Sequence, residues 1–153
     1  MQTVITNSVD ETEAFAAGMA KKLSTPVVVA FFGGLGMGKT AFTRGLAKGL
    51  GLNCEVTSPT FALVHEYCGK TTLYHFDMYR INGFDDLYST GFFDYLDSGA
   101  VLAVEWSENI ENILPENTLK IEFLRGENDG ERILRMSGDS REQEKTSGLK
   151  PRR

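Results

Sequence analysis

Cysteine is scarce: Cys54 and Cys68 are the only two in 153 residues. Without CxxC spacing they fit buried thiols in a reducing compartment better than a disulfide framework or a zinc site. Long apolar runs are missing as well. The longest, Val27–Phe32, is far too short to span a bilayer, and residues 1–7 lack the basic segment and apolar core of a secretion signal. Positive charge is in deficit, with 16 Lys and Arg against 21 Asp and Glu, a net charge of -5 and a pI near 5.1. That argues against a surface built to grip a nucleic-acid backbone by itself. No internal repeat occurs, and no low-complexity tract precedes the C-terminus. What is present, 41% hydrophobic and 24% charged residues, is the composition of one soluble, cytoplasmic domain large enough to bury a core without staples.

Residues 3–6 alternate weakly and read as a short strand. Ser8-Val9-Asp10-Glu11 reads as a capping box, with Ser8 capping backbone N–H groups and Glu11 reaching back. Phe15, Met19 and Leu23 recur at four-residue spacing beside Ala16 and Ala20, predicting a helix with one apolar face that Pro26 stops. Val27–Phe32 is continuous and β-rich, the pattern of a strand covered on both faces. Beyond the glycine-rich stretch Gly33–Gly38, a second helix carries Phe42, Leu46 and Leu50 on one stripe and ends around Gly49 and Gly51. Phe61–Tyr67 and Thr71–Asp77 read as strands joined by a two-residue turn at Gly69-Lys70. That register would put Val64, Glu66, His75 and Asp77 on one face. Residues 84–97 read as short helical turns broken at Gly91, and Val101–Val104 as another buried strand ending at Glu105-Trp106. Residues 118–124 and 131–136 alternate as strands around a turn. Residues 137–153 are polar and charged, and read as a disordered, solvated tail. The domain is thus 1–136, with the α/β pattern of a P-loop NTPase: a mixed, partly parallel sheet with helices on both faces.

The strongest chemical signal is Gly33-Gly34-Leu35-Gly36-Met37-Gly38-Lys39-Thr40. It matches G-x-x-x-x-G-K-[ST] between a strand and a helix, the context the motif requires. Glycines let the backbone turn and bring N–H groups close around phosphate oxygens, and the helix N-terminus adds its positive dipole end. Gly33, Leu35, Gly36, Met37, Gly38, Lys39, Thr40 and Ala41 form the expected nucleotide-binding set. Lys39 would reach the β- and γ-phosphates, and the Thr40 hydroxyl would ligate Mg²⁺.

Hydrolysis also needs carboxylates, and in open α/β sheets these sit past the carboxyl ends of strands. Asp77 and Glu105 occupy such places. If their strands run parallel to Val27–Phe32, both acids and the P-loop converge on one rim. Glu105 is the expected Mg²⁺-associated or nucleophile-orienting acid. Asp77, in His75-Phe76-Asp77-Met78-Tyr79-Arg80, is either a second catalytic acid or a turn aspartate paired with Arg80. His75 reads as a structural partner of Asp77, and His65 as an ordinary strand residue. Trp106 is either a core plug or a pocket wall. Residues 57–61 lie where nucleotide-sensing switch segments occur, or form a simple proline turn.

Gly33-x-x-Gly36-x-Gly38-Lys39-Thr40, Ser58-Pro59-Thr60-Phe61, His75-x-Asp77-x-Tyr79-Arg80 and Glu105-Trp106, in this order and spacing over residues 3–125, resemble the TsaE (YjeE) family. The resemblance implies a small P-loop ATPase that uses ATP and Mg²⁺. It would work with a TsaB–TsaD heterodimer in forming threonylcarbamoyl-adenosine in tRNA, meeting the tRNA only through that complex. It implies Lys39 as the phosphate lysine, Thr40 and Glu105 as Mg²⁺ ligands, and Asp77 as the other acid for hydrolysis. It also implies Trp106 beside the nucleotide and, at the Ser8–Thr12 edge, Thr12 on the adenine side. Gly34 stands where the family usually has Asp, and Ala41 where Thr is common; neither change touches the P-loop signature.

Two other readings compete. A small-molecule P-loop kinase would need an acceptor site and an Arg-bearing lid, for which only Arg80 and Arg44 offer themselves. A nucleotide-gated binding module would use ATP only to order a docking surface such as residues 57–61. A GTPase is disfavoured because no N/T-K-x-D segment follows the last buried strand.

Overall fold

In a computed structural model the described residues are 2–34, 38–57 and 63–138. They form a seven-stranded sheet ordered β1-β7-β6-β2-β5-β4-β3. The strands are β1 (Gln2–Thr6), β2 (Val27–Phe32), β3 (Val64–Tyr67), β4 (Leu73–Asp77), β5 (Val101–Glu105), β6 (Leu119–Arg125) and β7 (Arg132–Ser137). β6, β2, β5 and β4 run parallel, while β7, β1 and β3 add antiparallel pairings at the two sides. The mixed, partly parallel sheet expected from the sequence is therefore present. β2 lies in its middle, which is why its apolar run does not alternate: Val27, Val29 and Phe31 join one core cluster, and Val28 and Ala30 the other.

On one face lie α1 (Val9–Ala20) and α2 (Lys39–Gly49). Ser8 caps α1 by accepting the Glu11 N–H at 3.1 Å, and Glu11 returns to the Asn7 N–H at 2.7 Å, one residue earlier than a capping box requires. The helix ends at Ala20, six residues short of Pro26, so proline is not what stops it. Its deepest stripe is Thr12, Ala16 and Ala20, and Phe15, Met19 and Leu23 are only partly buried. Small side chains allow α1 and α2 to approach closely: a Cβ on Gly45 would stand 2.2 Å from the Glu13 carbonyl oxygen, and one on Gly49 2.3 Å from that of Ala17. Beneath them Phe31, Phe42 and Phe123 meet edge to face at 5.4–5.7 Å, each such pair contributing about 0.5–1.5 kcal/mol beyond area burial.

The other face is covered by α3 (Phe84–Ser89), α4 (Phe92–Leu96) and a 3-10 segment, Ser107–Ile113. Gly91, at φ +82°, breaks α3 from α4 as its position suggested.

Two expectations are corrected. The β3–β4 loop spans residues 68–72 rather than two residues, and the pairing is Val64 with Phe76, His65 with His75 and Glu66 with Tyr74. The register is one residue off the expected one, so His75 and Asp77 share a face with His65 and Tyr67, not with Val64 and Glu66. Cys54 and Cys68 are free but exposed rather than buried. β7 extends through Ser137, one residue past the expected domain boundary; the tail from residue 139 onward lies outside the described residues. No described helix is long and apolar enough to cross a membrane.

Candidate nucleotide site

β2, β5 and β4 end at one rim because they run parallel, and Asp77 and Glu105 are paired in register on the two neighbouring strands. The convergence of both acids with the P-loop follows from that topology. Gly33 opens the loop at φ +120°, where a Cβ would lie 2.5 Å from the Phe123 carbonyl oxygen. Glycine is thus required there by the neighbouring strand as well as by backbone conformation. Leu35, Gly36 and Met37 lie outside the described residues. Gly38, at φ +99°, leads into α2, whose first residues are Lys39 and Thr40.

Lys39 is buried, and its ammonium donates to the Gly33 carbonyl. It also lies 5.4 Å from the centre of the Trp106 ring. Burial holds its pKa below the ordinary lysine value, and the carboxylates of Glu105, Glu108 and Asp77 oppose that shift. Asp77 and Glu105 end neighbouring strands, and Glu108 accepts the N–H of Gly33, whose carbonyl accepts from the ammonium. Three carboxylates therefore surround this one cation's end of the loop. Glu105 is buried, and His75 Nε2 stands 2.6 Å from its Oε2. His75 thus partners Glu105 and not Asp77, because β4 and β5 are adjacent and place the two side chains on the α2 face of the sheet. The imidazole is fully buried and its Nδ1 has no hydrogen-bond partner among the described residues. Asp77 is also buried and accepts the Tyr79 N–H at 2.9 Å; it makes no ion pair with Arg80.

Trp106, at φ +60°, sits between Lys39 and the Tyr79 ring, whose centre is 4.9 Å away, while its inner side packs on the lower core. Its packing makes it part of the core edge, and the same ring stands beside Lys39. Ala41 is buried in α2. Thr12 is buried in α1, where its hydroxyl meets that of Thr6 at 2.6 Å, a contact within the fold.

Glu108 escaped the sequence reading. Its Oε2 accepts the Gly33 N–H at 3.0 Å, so it touches the first residue of the loop. No local spacing signalled it: Glu105 ends β5, Trp106 turns the chain at φ +60°, and Glu108 lies in the 3-10 segment that follows. Residues 58–61 of the supposed switch lie outside the described residues. Thr57 precedes them, its N–H donating to the Tyr67 hydroxyl at 3.3 Å; His65 Nδ1 lies 3.2 Å from that same hydroxyl.

The donor set fits a divalent cation shared with phosphates. Among the described residues no three His, Cys, Asp or Glu side chains form a metal cage, whereas Mg²⁺ ordinarily takes one or two protein oxygens and completes its shell with phosphate and water. Thr40, in the first turn of α2, and Glu105, at the end of β5, offer such oxygens.

The family model for "Threonylcarbamoyl adenosine biosynthesis protein TsaE" matches residues 6–134. The tRNA threonylcarbamoyladenosine biosynthesis protein TsaE of Treponema pallidum is 38% identical over 130 residues, covering 85% of this chain and 96% of that protein. The protein of the same name from Bacillus subtilis is 39% identical over 125 residues, 81% of this chain and 78% of its own. The crystal structure of YdiB from Bacillus subtilis superposes with a TM-score of 0.77 at 33% identity, covering 97% of this chain and 92% of that one.

Proposed function

The chain belongs to the TsaE family, and from that premise we propose that it is a Mg²⁺-dependent P-loop ATPase serving tRNA threonylcarbamoyladenosine formation beside a TsaB–TsaD-type complex. The observation that carries the reading is the meeting of Lys39, Asp77, Glu105 and Glu108 where parallel strands give way to the N-terminus of α2. Lys39 and the helix N-terminus bind the phosphates. Three carboxylates around this end of the loop would repel a bare polyphosphate, which supports its arrival with a divalent cation. Bound Mg²⁺ supplies charge neutralisation on the β- and γ-phosphates. Glu105, held by His75, would contact that ion from a fixed rotamer. Asp77, fixed through the Tyr79 N–H, would orient the attacking water.

Arg44 is paired with Glu13 at 2.7 Å. That leaves only Arg80 of the two arginines a kinase lid would draw on, which favours hydrolysis over transfer to a metabolite. Lys39→Ala should lose about a hundredfold in Mg-ATP affinity by calorimetry. Asp77→Ala and Glu105→Ala should keep most of the affinity and lose about a hundredfold in hydrolysis. Normal turnover in both acid variants would remove those residues from the site. Glu105→Gln that binds ATP, fails to hydrolyse it and still supports tRNA modification would favour the nucleotide-gated module instead.

A further inference from the structure

Among the described residues, three of the five exposed large apolar side chains, Tyr79, Phe84 and Tyr88, follow the end of β4, whereas Ile5 and Val9 belong to β1 and α1. Phe84 is 56% and Tyr88 67% exposed. Their rings stack at 6.2 Å with an 18° angle between planes, and Phe93 closes the group at 5.6 Å from Phe84 and 6.3 Å from Tyr88. Of the three, Phe93 alone packs on the core cluster that holds Val28 and Ala30. A single exposed ring is ordinary, but contiguous ones mark a contact surface.

Charge indicates what kind. Asp85 and Asp86 in the first turn of α3 and Asp94 in that of α4 are exposed around the rings. None of them takes part in an ion pair among the described residues. Asp86 accepts the Asn82 N–H at 3.1 Å. Unneutralised carboxylates repel a phosphate backbone and attract lysine and arginine. An arginine could also stack on the exposed rings.

The patch follows the candidate site closely in the chain. Between Asp77 and Phe84 the chain passes Tyr79, 57% exposed, whose ring leans on Trp106. Asn109 fixes that stretch by donating to the Met78 carbonyl at 2.7 Å. We propose that the Phe84–Tyr88–Phe93 patch, with its rim of Asp85, Asp86 and Asp94, docks a protein partner whose matching face is apolar and edged with lysine or arginine. The proposal rests on the partner reading above and assigns it a surface.

The test uses the full chain with Mg-ATP and a purified TsaB–TsaD heterodimer as the probe. Phe84→Ser with Tyr88→Ser should weaken binding about tenfold or more. Asp85→Lys with Asp86→Lys, which leaves packing alone, should weaken it similarly and flatten its salt dependence. Ile5→Ser, on edge strand β1, should bind as wild type does. Mg-ATP affinity of the free variants should not change. Wild-type affinity in both double variants would overturn the patch and leave the partner reading standing. No binding by the wild-type chain would remove the partner reading and the patch with it. Binding of free tRNA that the Phe84→Ser, Tyr88→Ser variant loses would overturn the assignment to a protein.

Discussion

On one face of the sheet α1 and α2 approach until Gly45 and Gly49 leave no room for a Cβ. On the other, α3 and α4 run for only 6 and 5 residues, and two of their aromatic rings stand in water. The first face is locked further by Glu13, which holds Arg44 at 2.7 Å and Lys48 at 2.6 Å across the helix pair. The second is held from beneath by Phe76, whose ring meets Phe92 at 5.3 Å and Tyr95 at 5.2 Å. The contrast matches the proposed function. The closely packed face fixes the start of α2, which carries Lys39, the proposed phosphate lysine. The other turns aromatic and acidic side chains outward, where a partner can meet them.

Substitutions can break or sharpen this contrast. The largest effect is expected at the helix seam: Gly45→Leu has no direction in which to relax, and should cost about 3 kcal/mol in urea unfolding. A cost below about 1 kcal/mol would show that the seam yields. His75→Ala comes next. It removes a fully buried ring and strips Glu105 of its partner, for an expected loss of about 2 kcal/mol, together with slower hydrolysis if Glu105 acts as assigned.

Glu13→Gln should cost less than about 1 kcal/mol, as a partly exposed ion pair does. Its signature is the pH dependence. Lys48 and Arg44 hold the Glu13 carboxyl below its ordinary pKa of 4.5. The ion pair is therefore fully stabilising above that value and is lost as the pH falls through the lower folded-state value. The gap between wild type and variant should be constant at neutral pH and close in acid. Smallest of all, Tyr88→Ser should change stability by no more than about 0.5 kcal/mol, because its ring lies mostly in water. A large loss would make the patch part of the core and end the contrast.

Much of this was legible in the sequence where a residue's role depends on strong local constraints. The runs Val27–Phe32 and Val101–Val104 announced buried strands, and the parallel order on which the convergence of Asp77 and Glu105 depends is present in the sheet. Roles decided by tertiary fit were not legible. Gly69 looked like a turn glycine, yet it is not at positive φ, and a Cβ there would stand 2.3 Å from Leu52. Its smallness serves packing rather than a tight turn, and the β3–β4 register slipped by one residue. The α1 stripe was sought among large apolar side chains, whereas Ala16 and Ala20 face glycines of α2 and produce little hydrophobic signal. Likewise nothing local pairs His75 with a glutamate thirty positions away.

Trp106 is the chain's single tryptophan and lies 5.4 Å from the Lys39 ammonium. A titration of the protein with Mg-ATP, following tryptophan emission in the wild type and in Lys39→Ala, therefore reads the assigned site and nothing else. The account predicts a saturable change in the wild type that Lys39→Ala abolishes at the same nucleotide concentrations. An identical curve in both proteins, or no change in a wild-type sample to which calorimetry also finds no ATP bound, would contradict it.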